Sequence, residues 1–332
     1  MPILKRVLAA LLAASLSAPA LAQPALISAR PIFLFDGVPP GQQVQGLVWR
    51  GGLVLDGPAE FGGLSGITFL DSSHFVAVSD KGYFVTGRLE TGADGTPANV
   101  READISVIRN SHGADLPENY SRDAEAVETI VRDGKSAAIR VGFENLTRVA
   151  DFEISDFQPV GAAKEVAIPD WLSNLRTNES LEAVCIAPPA SPISGSTLLL
   201  TEGAMTNDGD HSAFLLGHND RGPITLVASP DLKPTDCAFL PNGDLLVLER
   251  GTGFLSFTMQ IRRIRADDVK PGARMRGQII LSAAGGDIDN MEGIAVRQTE
   301  GGASRIVIVS DDNYNDWERT LWLEFELPPE AR

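Results

Sequence analysis

Cysteine and histidine are scarce here: two and four in 332 residues. No CxxC pair is present, so a zinc clip lacks its ligands. No HExxH signature and no glycine-rich dinucleotide fingerprint occurs either. Basic residues are outnumbered, 28 against 44 acids, which argues against nucleic acid and anionic membranes as partners. Beyond the N-terminus, no apolar run reaches the roughly 20 residues that span a bilayer. Helical periodicity is also nearly absent.

What is there begins with a leader. Lys5 and Arg6 precede an apolar stretch from Val7 to Leu16, and Ala20-Leu21-Ala22 fits the small-x-small cleavage rule. The pattern predicts a signal peptide over 1–22 and a single domain over 23–332, periplasmic or secreted; a membrane anchor is the competing reading. No cysteine follows the cleavage site, which argues against a lipoprotein. Cleavage removes two of 28 bases and no acid, leaving 26 against 44, or −18. That charge suits a soluble monomer and would suit a metal binder. An oxidising compartment permits a Cys185–Cys237 disulfide, with two separately buried thiols as the alternative.

Short runs rich in Val, Ile, Leu and Phe alternate with Gly, Pro, Asn and Asp turns. Five segments repeat: GGLSGITFL (62–70), RDAEAVETI (122–130), SLEAVCIAP (180–188), PTDCAFLPN (234–242) and NMEGIAVRQ (290–298). Each precedes a second apolar run, as in HFVAVSD (74–80) or GDLLVLERG (243–251). Aligned on Ser65, Glu125, Glu182, Asp236 and Glu292, the starts lie 60, 57, 54 and 56 residues apart, a period that marks a repeat architecture. The third unit reads as four strands: SLEAVCIAP, STLLLTEG, HSAFLLGHN and GPITLVASP. The expectation is an all-β fold, a β-propeller of five visible four-stranded repeats. It has five or six blades, depending on how VQGLVWRGGLVLDG near the start and TLWLEFELPP near the end close the ring.

In a propeller, the start of each first strand and the end of each second strand share one mouth of the central channel. Those positions read Ser65 with Asp80, Glu125 with Glu144, Glu182 with Glu202, Asp236 with Glu249, and Glu292 with Asp311. Nine of the ten are carboxylates. Such a ring needs a counter-cation or raised pKa values, and clustered hard oxygens suit Ca²⁺. Asp80, Glu125, Glu182, Glu202, Asp236, Glu249, Glu292 and Asp311 are therefore candidate metal ligands. The competing reading pairs them with arginines and backbone amides. TNDGD (206–210) and SDDNYND (310–316) offer further oxygens, or ordinary turns. Lys81, Arg122, Arg148 and Arg250 flank the acids and could grip an anionic substrate.

Other signals are weaker. Gly63-Leu64-Ser65-Gly66-Ile67 misses the last glycine of a nucleophile elbow and leads into a strand. Asp133-Gly134-Lys135-Ser136 resembles the end of a P-loop, but Thr129 replaces the first glycine; a hairpin turn is expected. A Ser-His-Asp triad would need one of four histidines, none placed at the repeat mouths.

GGLSGI with VSDKG, RDAEAVE, SLEAV, LLVLERG, and NMEGIAV with SDDNYN resemble the exported proteins grouped as "esterase-like activity of phytase". The resemblance covers about residues 60–316. It implies a β-propeller related in architecture to calcium-dependent phytases, which bind several Ca²⁺ in an acidic cleft and hydrolyse phosphate esters. On that footing the expected function is exported, metal-dependent hydrolysis of phosphate or related esters. Glu125 or Glu292 would act as general base, and Lys81 or Arg250 would stabilise negative charge. The alternative is a non-catalytic calcium-binding propeller that holds an envelope component or partner protein.

Overall fold

The computed structural model describes residues 22–117, 120–253 and 256–328. The expected leader thus falls, but for Ala22, outside the described residues. Five mostly antiparallel sheets follow one another around a central channel. In the first, strands Leu64–Phe69, His74–Ser79, Tyr83–Thr91 and Pro97–Val107 pair in sequence order. The second holds Ala124–Arg132 to Gln158–Val166, and the third Leu181–Ile186, Thr197–Met205, His211–Leu216 and Gly222–Leu226. Those four match the segments expected of the third unit. The fourth runs from Lys233–Phe239 to Gln278–Ala284.

The fifth sheet decides the blade number. It takes Asn290–Gln298, Ser304–Asp311 and Thr320–Glu326 from the end of the chain and Leu47–Asp56 from near its start. Leu55 pairs with Thr320 and Val48 with Glu326. The terminal strands therefore complete a fifth blade rather than build a sixth. Ser28–Ile32 adds an outer strand to this sheet, and Gln23–Pro24 to the first. Among the described residues, helix is confined to Asp170–Ser173 and one 3-10 turn at Ala266–Asp268. No helix there is long and apolar enough to cross a membrane.

The core lies between blades. Leu246, Leu248 and Ile261 of the fourth pack on Met291, Ile306 and Phe325 of the fifth. Leu53, Val307 and Trp322 of the fifth pack on Ile67, Ala77 and Val85 of the first. The inner strands run side by side, and the ring closes where the fifth meets the first. Between neighbouring inner strands the backbone approach is close. A Cβ added to Gly66 would meet the Glu125 carbonyl at 2.9 Å, and one on Gly293 would meet Gly66 Cα at 3.2 Å. Cys185 and Cys237, on neighbouring inner strands, are joined in a buried disulfide with Cα atoms 6.0 Å apart.

Candidate functional site

Each inner hairpin is interrupted at its mouth end by a β-bulge. Pairing skips one residue between Leu64 and Gly66, Ala124 and Ala126, Leu181 and Ala183, Pro234 and Asp236, and Met291 and Gly293. The skipped residues are Ser65, Glu125, Glu182, Thr235 and Glu292. A bulge re-aims one side chain and is a common device beside functional sites. Facing them from the second-strand side are Asp80, Glu144, Glu202, Arg250 and Asp311, each one residue past the partner of the pre-bulge position.

The fourth blade corrects the sequence alignment by one residue. Thr235 and Arg250, not Asp236 and Glu249, hold its mouth positions. Asp236 instead occupies the place filled elsewhere by Gly66, Ala126, Ala183 and Gly293. It is buried against the next inner strand, where it accepts the amides of Cys237 and Ile294 at 2.8 Å each. Glu249 is fully buried between blades, gripped by Arg262 and bonded to Gln260 Nε2 at 2.6 Å. Both belong to internal structural networks, away from the mouth positions. The signal that identifies the register is the small residue after each bulge, which the fourth repeat breaks.

The remaining acids divide into two groups. On the first side Asp123, Glu125 and Glu144 present oxygens within 4.8 Å of one another. Glu125 shares a hydrogen bond with Asp123, and Glu144 with Glu182. Glu144 Oε1 also accepts the Ser180 amide at 2.7 Å. Asp123, which the alignment overlooked, is further held by Asn145 Nδ2. On the other side the charge is already met. Arg250 lies 3.3 Å from Glu292, 3.8 Å from Glu202 and 2.6 Å from Asn290 Oδ1, while Lys233 lies 3.6 Å from Glu202.

Electrostatics follow this division. Burial, then the charges of Asp123 and Glu144, push the Glu125 carboxyl well above its usual range. Burial and the charge of Glu144 do the same to Glu182. Burial lifts Glu144 to about 7 despite its hydrogen bonds. Glu292 reaches about 7 through burial, held back by Arg250. Burial and Asp80 raise Asp311 to about 8, and burial and Asp123 raise Asp80 to about 6. Desolvated like charges favour a shared proton or a bound cation.

Between the two groups, the GG of GGLSG and the SDDNYND loop form a rim. Asp312 Oδ1 accepts the amides of Gly63 at 2.9 Å and Tyr314 at 3.0 Å, and its Oδ2 accepts Thr320 Oγ1 at 2.9 Å. Lys81 Nζ sits 3.0 Å above the Tyr314 ring, beside Asp80, whose buried Oδ1 has no hydrogen-bond partner. Ser65 bonds only its own loop, Oγ to the Gly63 carbonyl at 3.3 Å. The flanking cations diverge. Arg250 and Lys81 reach the mouth. Arg122 donates to the Leu116 carbonyl, and Arg148 lies over Phe143 and donates to the Ser121 and Leu146 carbonyls. The TNDGD loop is a turn whose Asp210 pairs with Arg274. Asp133 and Gly134 take positive φ in a hairpin turn, as expected. His211 comes nearer the mouth than its place in the repeat implies: its Nδ1 bonds the Glu202 carbonyl at 2.7 Å.

The sequence profile of the phytase-like family, described as "esterase-like activity of phytase", matches residues 59–314. The chain belongs to this family. The match spans every bulge and both acid groups, and ends at Tyr314. No curated protein matches the sequence. Among solved structures, the phytase-like chain is similar to a PQQ-bound aldose sugar dehydrogenase from Streptomyces coelicolor. The identity is 10% and the TM-score 0.45, over 80% of this chain and 94% of that one. It is also similar to the WD40 β-propeller domain of Doa1, at 12% identity and TM-score 0.37, over 85% and 97%. YCF48 bound to a D1 peptide matches at 10% and 0.36, over 88% and 99%.

Proposed function

We propose that this phytase-like propeller is an exported, Ca²⁺-dependent hydrolase of phosphate or related esters, working at the acidic mouth. One observation carries the reading: the mouth is split into a carboxylate cluster that, among the described residues, makes no ion pair and an adjoining cationic edge. Asp123, Glu125 and Glu144 fit a hard divalent cation, because carboxylate oxygens converge there and, among the described residues, no basic side chain hydrogen-bonds to them. Glu182, hydrogen-bonded to Glu144, and Asp80 would complete the oxygen set. Calcium bound there would supply Lewis-acid polarisation of an ester oxygen.

The chain's own residues supply the rest. Arg250, already facing the channel, would hold an anionic ester oxygen by charge-assisted hydrogen bonds. Lys81 would do so from the opposite rim. Glu292 touches Arg250 and so stands where the ester would be held, placed to take a proton from an attacking water. Glu125, locked to Asp123, suits the ligand role better than the base role.

The test is turnover of a panel of phosphomonoesters and carboxyl esters by the protein without its leader. Activity should need Ca²⁺ and vanish on chelation. Glu292→Gln should lower kcat by about 100-fold or more at unchanged thermal stability, within the range of lost acid–base catalysis. No turnover on any ester, with melting still raised by Ca²⁺, would replace this reading with a calcium-bound propeller that holds an envelope component or partner protein.

A further inference from the structure

A wide cavity among the described residues lies away from the acidic mouth. It lies at the opposite end of the channel, with a volume of about 1280 Å³. The far ends of four inner strands border it, at Phe69, Val131, Ile186 and Val296. Its volume exceeds the roughly 300–1,000 Å³ of a typical small-ligand site, and its wall mixes apolar side chains with polar and charged ones.

Two features give this space chemical character. The first is an aromatic platform. Phe157 stays 44% exposed on the cavity wall, yet it is held: its ring stacks on His74 at 3.7 Å and 8°. His74 is in turn pinned by Asp71, 2.7 Å from its Nδ1. The second is a carboxylate with no ion-pair partner among the described residues. Glu128 lines the cavity from the inner strand of the second blade, three residues beyond Glu125. Its Oε1 accepts Thr68 Oγ1 at 3.1 Å and the Thr129 amide at 2.8 Å. Among the described residues no cation pairs with it. Arg297, on the same wall, is spent on Glu324 at 2.9 Å and on the Ser72 carbonyl, and Lys135 is exposed at a hairpin turn. A half-buried carboxylate is costly without a counter-charge.

We propose that this far cavity binds a small organic ammonium ion with a flat aromatic body, its charged head on Glu128 and its ring against Phe157. Burial also lifts the Glu128 carboxyl to about 7, a shift that a bound ammonium reverses. The site is separate from the acidic mouth and does not depend on the hydrolase reading.

Calorimetric titration with tryptamine tests it, with excess Ca²⁺ present to occupy the acidic mouth. Tryptophol, which carries a hydroxyl in place of the ammonium, is the neutral comparison. Tryptamine should bind saturably and at least about ten-fold more tightly than tryptophol, as a charge-assisted contact requires. Glu128→Gln keeps an oxygen acceptor for Thr68 and Thr129 and should erase that preference. Phe157→Ala should weaken both ligands, while Glu182→Gln, at the other mouth, should leave tryptamine binding unchanged. Equal affinity for the two ligands, a preference that survives Glu128→Gln, or no saturable binding overturns the proposal. Should Glu128→Gln fail to fold, unaltered tryptamine affinity in Phe157→Ala overturns it alone.

Discussion

At the scale of the residue, Arg250 and Gly63 carry the most consequence. Arg250 stands where the other mouths put carboxylates or their partners, and it holds both Glu202 and Glu292. Arg250→Met leaves Glu292 without its cation and Glu202 with Lys233 alone. The expected loss is about 3 kcal/mol near neutral pH, the scale for breaking one side of a buried pair, read by thermal or urea melting. Gly63 takes φ +58, and a Cβ there would collide with Asp80 Oδ1 and the Tyr314 ring. Gly63→Ala should therefore cost about 1–3 kcal/mol through backbone strain and displace the rim. Melting together with the near-ultraviolet signal of Tyr314 checks this. The acids themselves were legible in sequence, since Glu125, Glu182 and Glu292 recur at the same point of their repeats. Asp236 misled because charge was matched where geometry matters: the bulge selects Thr235, and the neighbouring strand's close approach governs the residue after it. Asp123 and Glu128 were illegible for a related reason, lying just before and just after the repeated position at Glu125.

At the scale of the element, the repeated hairpins were readable because alternation and turn residues recur in each unit. The edge strands were not, since Gln23–Pro24 and Arg274–Met275 are two residues each and carry no pattern. The Cys185–Cys237 bridge ties the inner strands of the third and fourth blades across 52 residues of chain. Replacing both cysteines by alanine should cost about 2–4 kcal/mol by chain-entropy reasoning. Melting of the double variant beside the native protein measures it, and an unchanged midpoint would show that packing of Leu198, Leu200 and Val247 around the bridge suffices.

At the scale of the whole molecule, the acidic mouth sets how stability responds to pH. Glu144, Glu292 and Asp311 titrate in the fold at about 7, 7 and 8, above their unfolded values near 4.5 and 3.8. The folded state therefore binds more protons than the unfolded one between those limits. Stability conferred by the neutral carboxyls is present below about pH 4 and drains away as pH rises through 7 to 8. Metal-free protein should thus melt lower at about pH 8 than at about pH 5. Added Ca²⁺ should raise the midpoint more at the higher pH, because it binds the deprotonated cluster. A melting series in chelator and in Ca²⁺ reads both signs, and a midpoint that climbs with pH in chelator would contradict them.

The closing blade joins Leu55 to Thr320, a separation of 320 − 55 = 265 residues. Contacts this distant in sequence form late, because the entropy of bringing them together precedes any reward. The strand Leu47–Asp56 is made long before its partner Thr320–Glu326. Until that final strand arrives, four blades stand as an open arc with an unguarded edge at each end, the kind of surface that invites wrong pairing. The propeller is in this sense a bracelet whose clasp closes late, and the open arc, not the finished ring, is the form exposed to wrong pairing.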